Sequence, residues 1–219
     1  LLGRGIGDAV YMAKYCDELI ITDKKTEVEL QASIDSVKAK LSDANFAKIK
    51  FIFGEHRLED IRGRDFIIKS AGVPLDNIYV AEAVKNNVPV YMSAALALML
   101  IKLGIDGSSI RTIGITGTRG KSTVTAAIYS TLKEIMPNIG VHLAGNVRGV
   151  ANLPVLEKVH TGDVLVMELD SWQLQGFGTL KISPHVSVFT NFLDDHLNYY
   201  HNDRQLYFND KANIFKYQS

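Results

Sequence analysis

Short apolar runs recur along this 219-residue chain, and polar, helix-spaced segments separate them. Leu19-Ile20-Ile21-Thr22-Asp23, Lys50 to Phe53, Phe66 to Ser70 and Val88 onward read as strands of the first half. Between them, Glu27 to Leu41, Asn77 to Lys85 and Ser93 to Leu103 have the spacing of helices. The second half repeats the alternation. Ile113 and Ile115 lie in a β-prone run, and Ala126, Ala127, Ile128, Tyr129 and Leu132 recur at helical spacing after it. Asn138 to Asn146 holds a short strand, Val164 to Glu168 and Val186 to Asn191 are two more, and Leu206 to Phe215 is a helix. Strands alternating with helices predict an α/β fold with mostly parallel sheets covered on both faces.

Two glycine-rich turns punctuate the pattern. Leu1 to Gly7 reads as a strand end running into a glycine loop, then a helix burying Val10, Met12, Ala13 and Cys16. With the acid Asp23 closing the next strand, this is a Rossmann-like βαβ unit, although Asp8 breaks the strict glycine pattern and a generic doubly wound edge stays open. Ligands of such sheets sit beyond the carboxyl ends of the strands. Gly3, Gly5, Ile6, Asp23, Lys24, Ser70 and Gly72 are therefore the binding candidates of the first half. The turn Gly104 to Ser109 reads as a linker, giving domains 1–103 and 104–219.

The other turn, Thr116-Gly-Thr-Arg-Gly-Lys-Ser-Thr123, joins a strand to a helix. That layout is a phosphate loop: free backbone N–H groups and a helix N-terminus favour a polyphosphate. Gly117, Thr118, Arg119, Gly120, Lys121, Ser122 and Thr123 would form it, Lys121 reaching the β/γ-phosphates and Ser122 offering its hydroxyl to Mg²⁺. Ile115 stands where the strict pattern has its first glycine, so a plain strand-to-helix turn with a surface lysine is the alternative. Glu168 ends an apolar strand, where a second Mg²⁺ ligand belongs; a solvated acid is the alternative there. His196, flanked by Asp194 and Asp195, reads as a metal ligand, a phosphate-orienting group or an exposed polar turn. Lys211 by default is a surface lysine, and Trp172 and Phe177 read as core or domain-contact residues.

Composition narrows the function classes. Lys plus Arg and Asp plus Glu both number 24, so no net charge favours nucleic acid or an anionic membrane. The single cysteine fits a reducing compartment, and no apolar run approaches the roughly 18 residues of a membrane span. A cytoplasmic protein is expected. The chain opens at Leu1 without a methionine, leaving open a missing strand and a lost leader.

These motifs together resemble the Mur ligases, ATP-dependent amide ligases of peptidoglycan assembly. The match is Thr116 to Thr123, Gly145-Asn146, Glu168-Leu-Asp-Ser-Trp-Gln-Leu174, Asn191 to Leu197 with Asp195-His196-Leu197, and Lys211 in the helix after Tyr207. Arg119, Ala144 and Asp170 depart from the residues most common in the family at those positions. Within the family the chain is most similar to the D-glutamate-adding branch, with Ser70-Ala71-Gly72 resembling that branch's Ser-Pro-Gly turn. The resemblance implies that ATP phosphorylates the terminal carboxylate of UDP-N-acetylmuramoyl-L-alanine, and that the amine of D-glutamate then attacks the acyl phosphate. It implies catalytic Lys121, His196 and Lys211, and two Mg²⁺ ions held by Ser122, Glu168, His196 and a carbamylated Lys211. It implies substrate contacts from Asn146 and Ser171 as well as the first-half turns. It further implies an incomplete central domain with the amino-acid-binding domain absent, hence a fragment without turnover of its own. The family is usually monomeric. Another Mur or folylpolyglutamate-type ligase, and a non-catalytic nucleotide-binding module, are the alternatives.

Overall fold

The computed structural model describes residues 4–104 and 109–218, so the expected strand end at 1–3 and most of the linker lie outside the described residues. The chain divides into two compact units. One runs to Ser93 and takes in Ala151–Pro154; the other comprises Ala94–Val150 and Val155–Ser219.

In the first unit, helix α1 (Arg4–Tyr15) precedes strand β1 (Leu19–Asp23), helix α2 (Glu27–Lys38), helix α3 (Asp43–Phe46) and strand β2 (Ile49–Phe53). Strand β3 (Ile67–Ile68), helix α4 (Ile78–Lys85) and strand β4 (Val90–Tyr91) follow. β1 pairs in parallel with β2 from Leu19↔Ile49 to Asp23↔Phe53, and β3 pairs in parallel with β4. Ala9, Val10 and Val37 form the buried centre between α1 and α2, with Ile6, Ile21 and Phe46 packed on it.

Three local expectations need correction. Gly5 to Gly7 are not a loop, because α1 already starts at Arg4. Gly7 serves packing: a Cβ there would run into the Cβ of Ala151. The helix expected to reach Leu41 stops at Lys38, because Ser42 caps α3, its hydroxyl accepting from Asn45 N–H at 3.3 Å. The third strand is two residues long rather than five, because the chain bends at Lys69. The Lys69 amine donates to the carbonyl of Val73 at 2.8 Å and folds Ser70 to Val73 into a turn.

The second unit holds helix α5 (Ser93–Lys102), strand β5 (Arg111–Thr116), helix α6 (Lys121–Ile135) and strand β6 (Val141–Gly145). Strand β7 (Val164–Glu168), helix α7 (Ser171–Leu180), strand β8 (Val186–Phe189) and helix α8 (Arg204–Ala212) complete it. Its four strands form one parallel sheet in the order β6-β7-β5-β8. A parallel sheet needs cover on both faces, and both are covered. Leu165 and Met167 join Leu98, Leu174, Phe177 and Ile214 on the side of α5 and α7. Val164 and Val166 join Ile115, Val124, Ile128 and Leu132 on the side of α6. The α/β reading with parallel sheets is thus borne out in both units.

Candidate nucleotide site

Strand β5 delivers the chain to Gly117, whose φ is 143°. A side chain is excluded there on two counts. That φ disfavours any L-residue, and a Cβ would collide with Thr190 Oγ1. Gly120, at φ 80°, is the residue before α6, and no side chain caps that helix. The N–H groups of the first helical turn therefore have no side-chain acceptor, and the helix's partial positive charge favours an anion at this end. Ser122 and Thr123 are exposed at this end. Lys121 curls over its own loop, Nζ donating to the carbonyls of Gly117 at 3.0 Å and Thr118 at 3.1 Å.

Register decides where Glu168 stands. Ile115 of β5 pairs with Glu168 of β7, and Leu169 N–H donates to Ile115 O at 2.8 Å. The two strands end level with each other. Side chains alternate across a strand, so Glu168 shares its face with Val164 and Val166, the face that α6 covers. The carboxylate thus lies on the same side of the sheet as the helix that begins at Lys121, and it is buried to 5% exposure. On its other flank Gly145 pairs with it, and Asn146 N–H donates to Glu168 O at 2.6 Å. Gly145 is at φ 85°, and a Cβ there would strike that same carbonyl.

Lys211 is no surface lysine. It is 1% exposed, and from α8 its Nζ donates to Gly117 O at 2.8 Å and sits 4.8 Å above the Tyr207 ring. Burial first, and then the charge of Lys121, push its pKa down to about 8, against the pull of Asp170 and Asp195. His196 is a turn residue with φ 53°, its ring tilted 4.8 Å from Trp172 and edge-on 6.4 Å from Tyr207. Its Nε2 lies 3.8 Å from Asp195 Oδ2, and Asp195 also approaches Arg119 at 3.9 Å. Ser171, buried, opens α7 behind Asp170. Among the described residues no three His, Cys, Asp or Glu side chains converge as a metal cluster.

Comparison with known proteins bears on this geometry. Residues 115–219 match the Mur ligase middle domain. Over its whole length the chain is 35% identical to a UDP-N-acetylmuramoylalanine–D-glutamate ligase of Borreliella burgdorferi (strain ZS7). The chain is similar to Mur ligases along its whole length. It spans 44% of the length of that Borreliella relative. A second relative of the same name, from Listeria monocytogenes serotype 4b, is 37% identical over 78% of this chain and 35% of its own length. Among solved structures, the MurF ligase of Thermotoga maritima in complex with ADP aligns at 19% identity and TM-score 0.44, covering 74% of this chain and 42% of that one.

Several candidates of the first unit stand at the carboxyl ends of its short strands. Asp23 closes β1, its Oδ1 accepting from Lys25 N–H at 3.0 Å, and Lys24 beside it is exposed. Ser70 and Gly72 are exposed on the turn after β3. Gly5 and Ile6 lie in α1, and Gly3 lies outside the described residues. No helix among the described residues is long and apolar enough to cross a membrane. Two residues have roles that the sequence pattern alone does not give. Asp170 caps α7 in a reciprocal box with Gln173, though the signature is present in the sequence. Trp172 is the platform for His196 rather than plain core.

Proposed function

We propose that this chain is the UDP-substrate and nucleotide-binding portion of an ATP-dependent amide ligase. The ligase adds D-glutamate to UDP-N-acetylmuramoyl-L-alanine through an acyl phosphate. The observation that carries the reading is the pairing of Ile115 with Glu168 on the α6 side of the sheet. It puts a buried carboxylate beside the strand that feeds the phosphate loop. The names of the relatives support the choice of substrates.

In this reading residues 1–103 receive the UDP moiety and residues 104–219 the ATP. Gly117 to Thr123 cradle the phosphates, and Lys121 leaves its own loop carbonyls to neutralise the γ-phosphoryl as it moves in line. The donors present suit Mg²⁺: a hydroxyl at Ser122 and a carboxylate at Glu168 are hard oxygens. A magnesium–nucleotide site draws its other ligands from phosphate and water, so it needs no cluster of three protein acids. When bound, Mg²⁺ supplies charge neutralisation at the transferring phosphoryl group. Lys211 as an amine donates a hydrogen bond and is no ligand. Its lowered pKa leaves a neutral fraction near physiological pH whose nitrogen adds to carbon dioxide, forming an N–C bond and releasing one proton to solvent, and the resulting carbamate is an anionic oxygen donor. His196, held on Trp172, is the partner for that second cation. Asn146 and Ser171 orient the substrate's acyl end. Gly3, Gly5, Ile6, Asp23, Lys24, Ser70 and Gly72 contact its UDP end. Catalysis is cytoplasmic, where ATP and the UDP-linked precursor are both available.

The deciding assay is phosphate release by the protein of the complete reading frame. Release that requires both UDP-N-acetylmuramoyl-L-alanine and D-glutamate is expected. Release indifferent to both overturns the reading, and Mg·ATP binding without any turnover favours a non-catalytic module.

A further inference from the structure

We propose that Asn191 is a positioning residue for the phosphate loop, its side-chain amide clasping the Arg119 peptide at both its N–H and its C=O. The proposal rests on the nucleotide reading above. Thr190 N–H donates to Thr116 O at 2.9 Å, which extends the β5–β8 ladder to the edge of the loop. From there Asn191 makes three contacts. Its main-chain carbonyl accepts from Thr118 N–H at 3.0 Å. Its Oδ1 accepts from Arg119 N–H at 2.9 Å, and its Nδ2 donates to Arg119 O at 3.2 Å. Thr190 Oγ1 donates to the same Arg119 carbonyl at 2.6 Å.

The polar groups of Arg119's backbone are thereby committed to the end of β8. A loop of this kind could otherwise turn those groups inward and fill the space of a ligand. What remains for phosphate is the uncapped first turn of α6. The bare Cα of Gly117 makes the clasp possible, since Thr190 Oγ1 and the backbone of Asn191 fill the space its Cβ would take. The asparagine amide offers a donor and an acceptor on separate atoms; ionised aspartate offers acceptors alone and leucine neither.

Asn191→Leu, neutral and of similar size, is the test, with Mg²⁺ and a non-hydrolysable ATP analogue as the probe in titration calorimetry. Nucleotide affinity is expected to fall roughly tenfold to hundredfold, while UDP affinity and the melting midpoint stay near those of the parent chain. Amide hydrogen exchange adds a readout that general packing would not move. The Arg119 amide loses protection in the variant, and the Thr118 amide, held by a main-chain carbonyl, keeps it. If the parent chain binds the analogue and Asn191→Leu binds it as tightly, the proposal is wrong and the nucleotide reading stands. If the parent chain binds no nucleotide, both fall. Should the variant not fold, exchange in the parent chain decides: a protected Arg119 amide supports the clasp, and a fast one overturns it.

Discussion

In the second unit the residues expected to do chemistry are tied into the fold. Glu168 is flanked by two paired strands, Lys211 is buried against Gly117 O, and Thr118 bonds Leu193 in both directions. In the first unit the corresponding candidates stand on short, exposed turns. Lys24, Ser70 and Gly72 are open to solvent, above a sheet that consists of two separate two-stranded pieces. Under the proposed function, the difference tracks chemical demand. Phosphoryl transfer needs charges fixed where charge develops. Gripping a distant handle of a substrate needs only complementary turns. Substitutions at the buried positions of the second unit should therefore disturb fold and binding together, and those in the first should separate them.

The largest effect is expected from Gly117→Ala. Its φ of 143° and the collision with Thr190 Oγ1 cannot both be relieved without moving the loop. A loss of about 3 kcal/mol is expected, together with loss of nucleotide binding. Thermal unfolding and calorimetry with Mg·ATP analogue on one preparation check both. A variant that melts like the parent chain and binds normally would remove the claim that this loop is built into the sheet.

Two buried carboxylates sharpen the comparison at the next size down. Asp163 of the second unit accepts from the backbone N–H of Gly140 and of His160, both at 2.9 Å, and pairs with His142 Nε2 at 2.8 Å. Burial alone would raise its pKa, but the bonds from His160, His142 and Gly140 together hold it below the usual range. Asp60 of the first unit is held low by one bidentate partner, Arg57, at 2.7 Å on both oxygens. Asp163→Asn should cost about 2 to 3 kcal/mol, because it disturbs main-chain donors that have no alternative. Asp60→Asn should cost about 1 kcal/mol, since Arg57 is partly exposed and returns to water. Both folded-state pKa values are depressed. The stability each carboxylate contributes is therefore complete above the ordinary Asp value near 4 and is lost as pH falls through the lower folded value. Denaturant midpoints at pH 7 and pH 3 should show each variant's deficit shrinking in acid.

Lys211 reverses the sign. With a folded pKa of about 8 against the ordinary 10.5, the native state binds fewer protons than the unfolded chain between those values. Stability should climb as pH rises from about 8 toward 10.5, and Lys211→Met should lack that climb. Equal pH slopes for parent and variant would contradict the buried amine.

Much of the second unit could be read from its residues, and the reasons are local. Val164 to Glu168 is a wholly buried parallel strand, so its apolar run and its terminal acid mark its ends without tertiary help. The helix Ser171–Leu180 escaped because Gly176 and Gly178 weaken its helical signal, and only packing of Leu174 and Phe177 in the core decides it. Lys211 looks like a surface lysine in isolation, yet Tyr207, Lys211 and Ile214 fall at i, i+4 and i+7, one buried face of α8 and the turn after it. In the first unit the glycines misled. Gly5 and Gly7 look like a loop, and nothing local says that one of them makes room for Ala151.

Gly5 carries the smallest effect and separates the two units most directly. A Cβ at this position meets nothing within 4 Å, and its φ is not positive, so alanine fits α1 without strain. Gly5→Ala should raise stability by about 0.5 to 1 kcal/mol, the usual gain from replacing a helical glycine. If Gly5 approaches the UDP moiety as proposed, the same methyl group should weaken UDP binding while nucleotide binding at Gly117 to Thr123 is unchanged. A more stable chain with weaker UDP affinity would show the separation of fold from binding expected of the first unit. A more stable chain with unaltered UDP affinity would leave Gly5 as a helix residue only and move the UDP contact toward Asp23, Lys24 and the turn at Ser70 to Gly72.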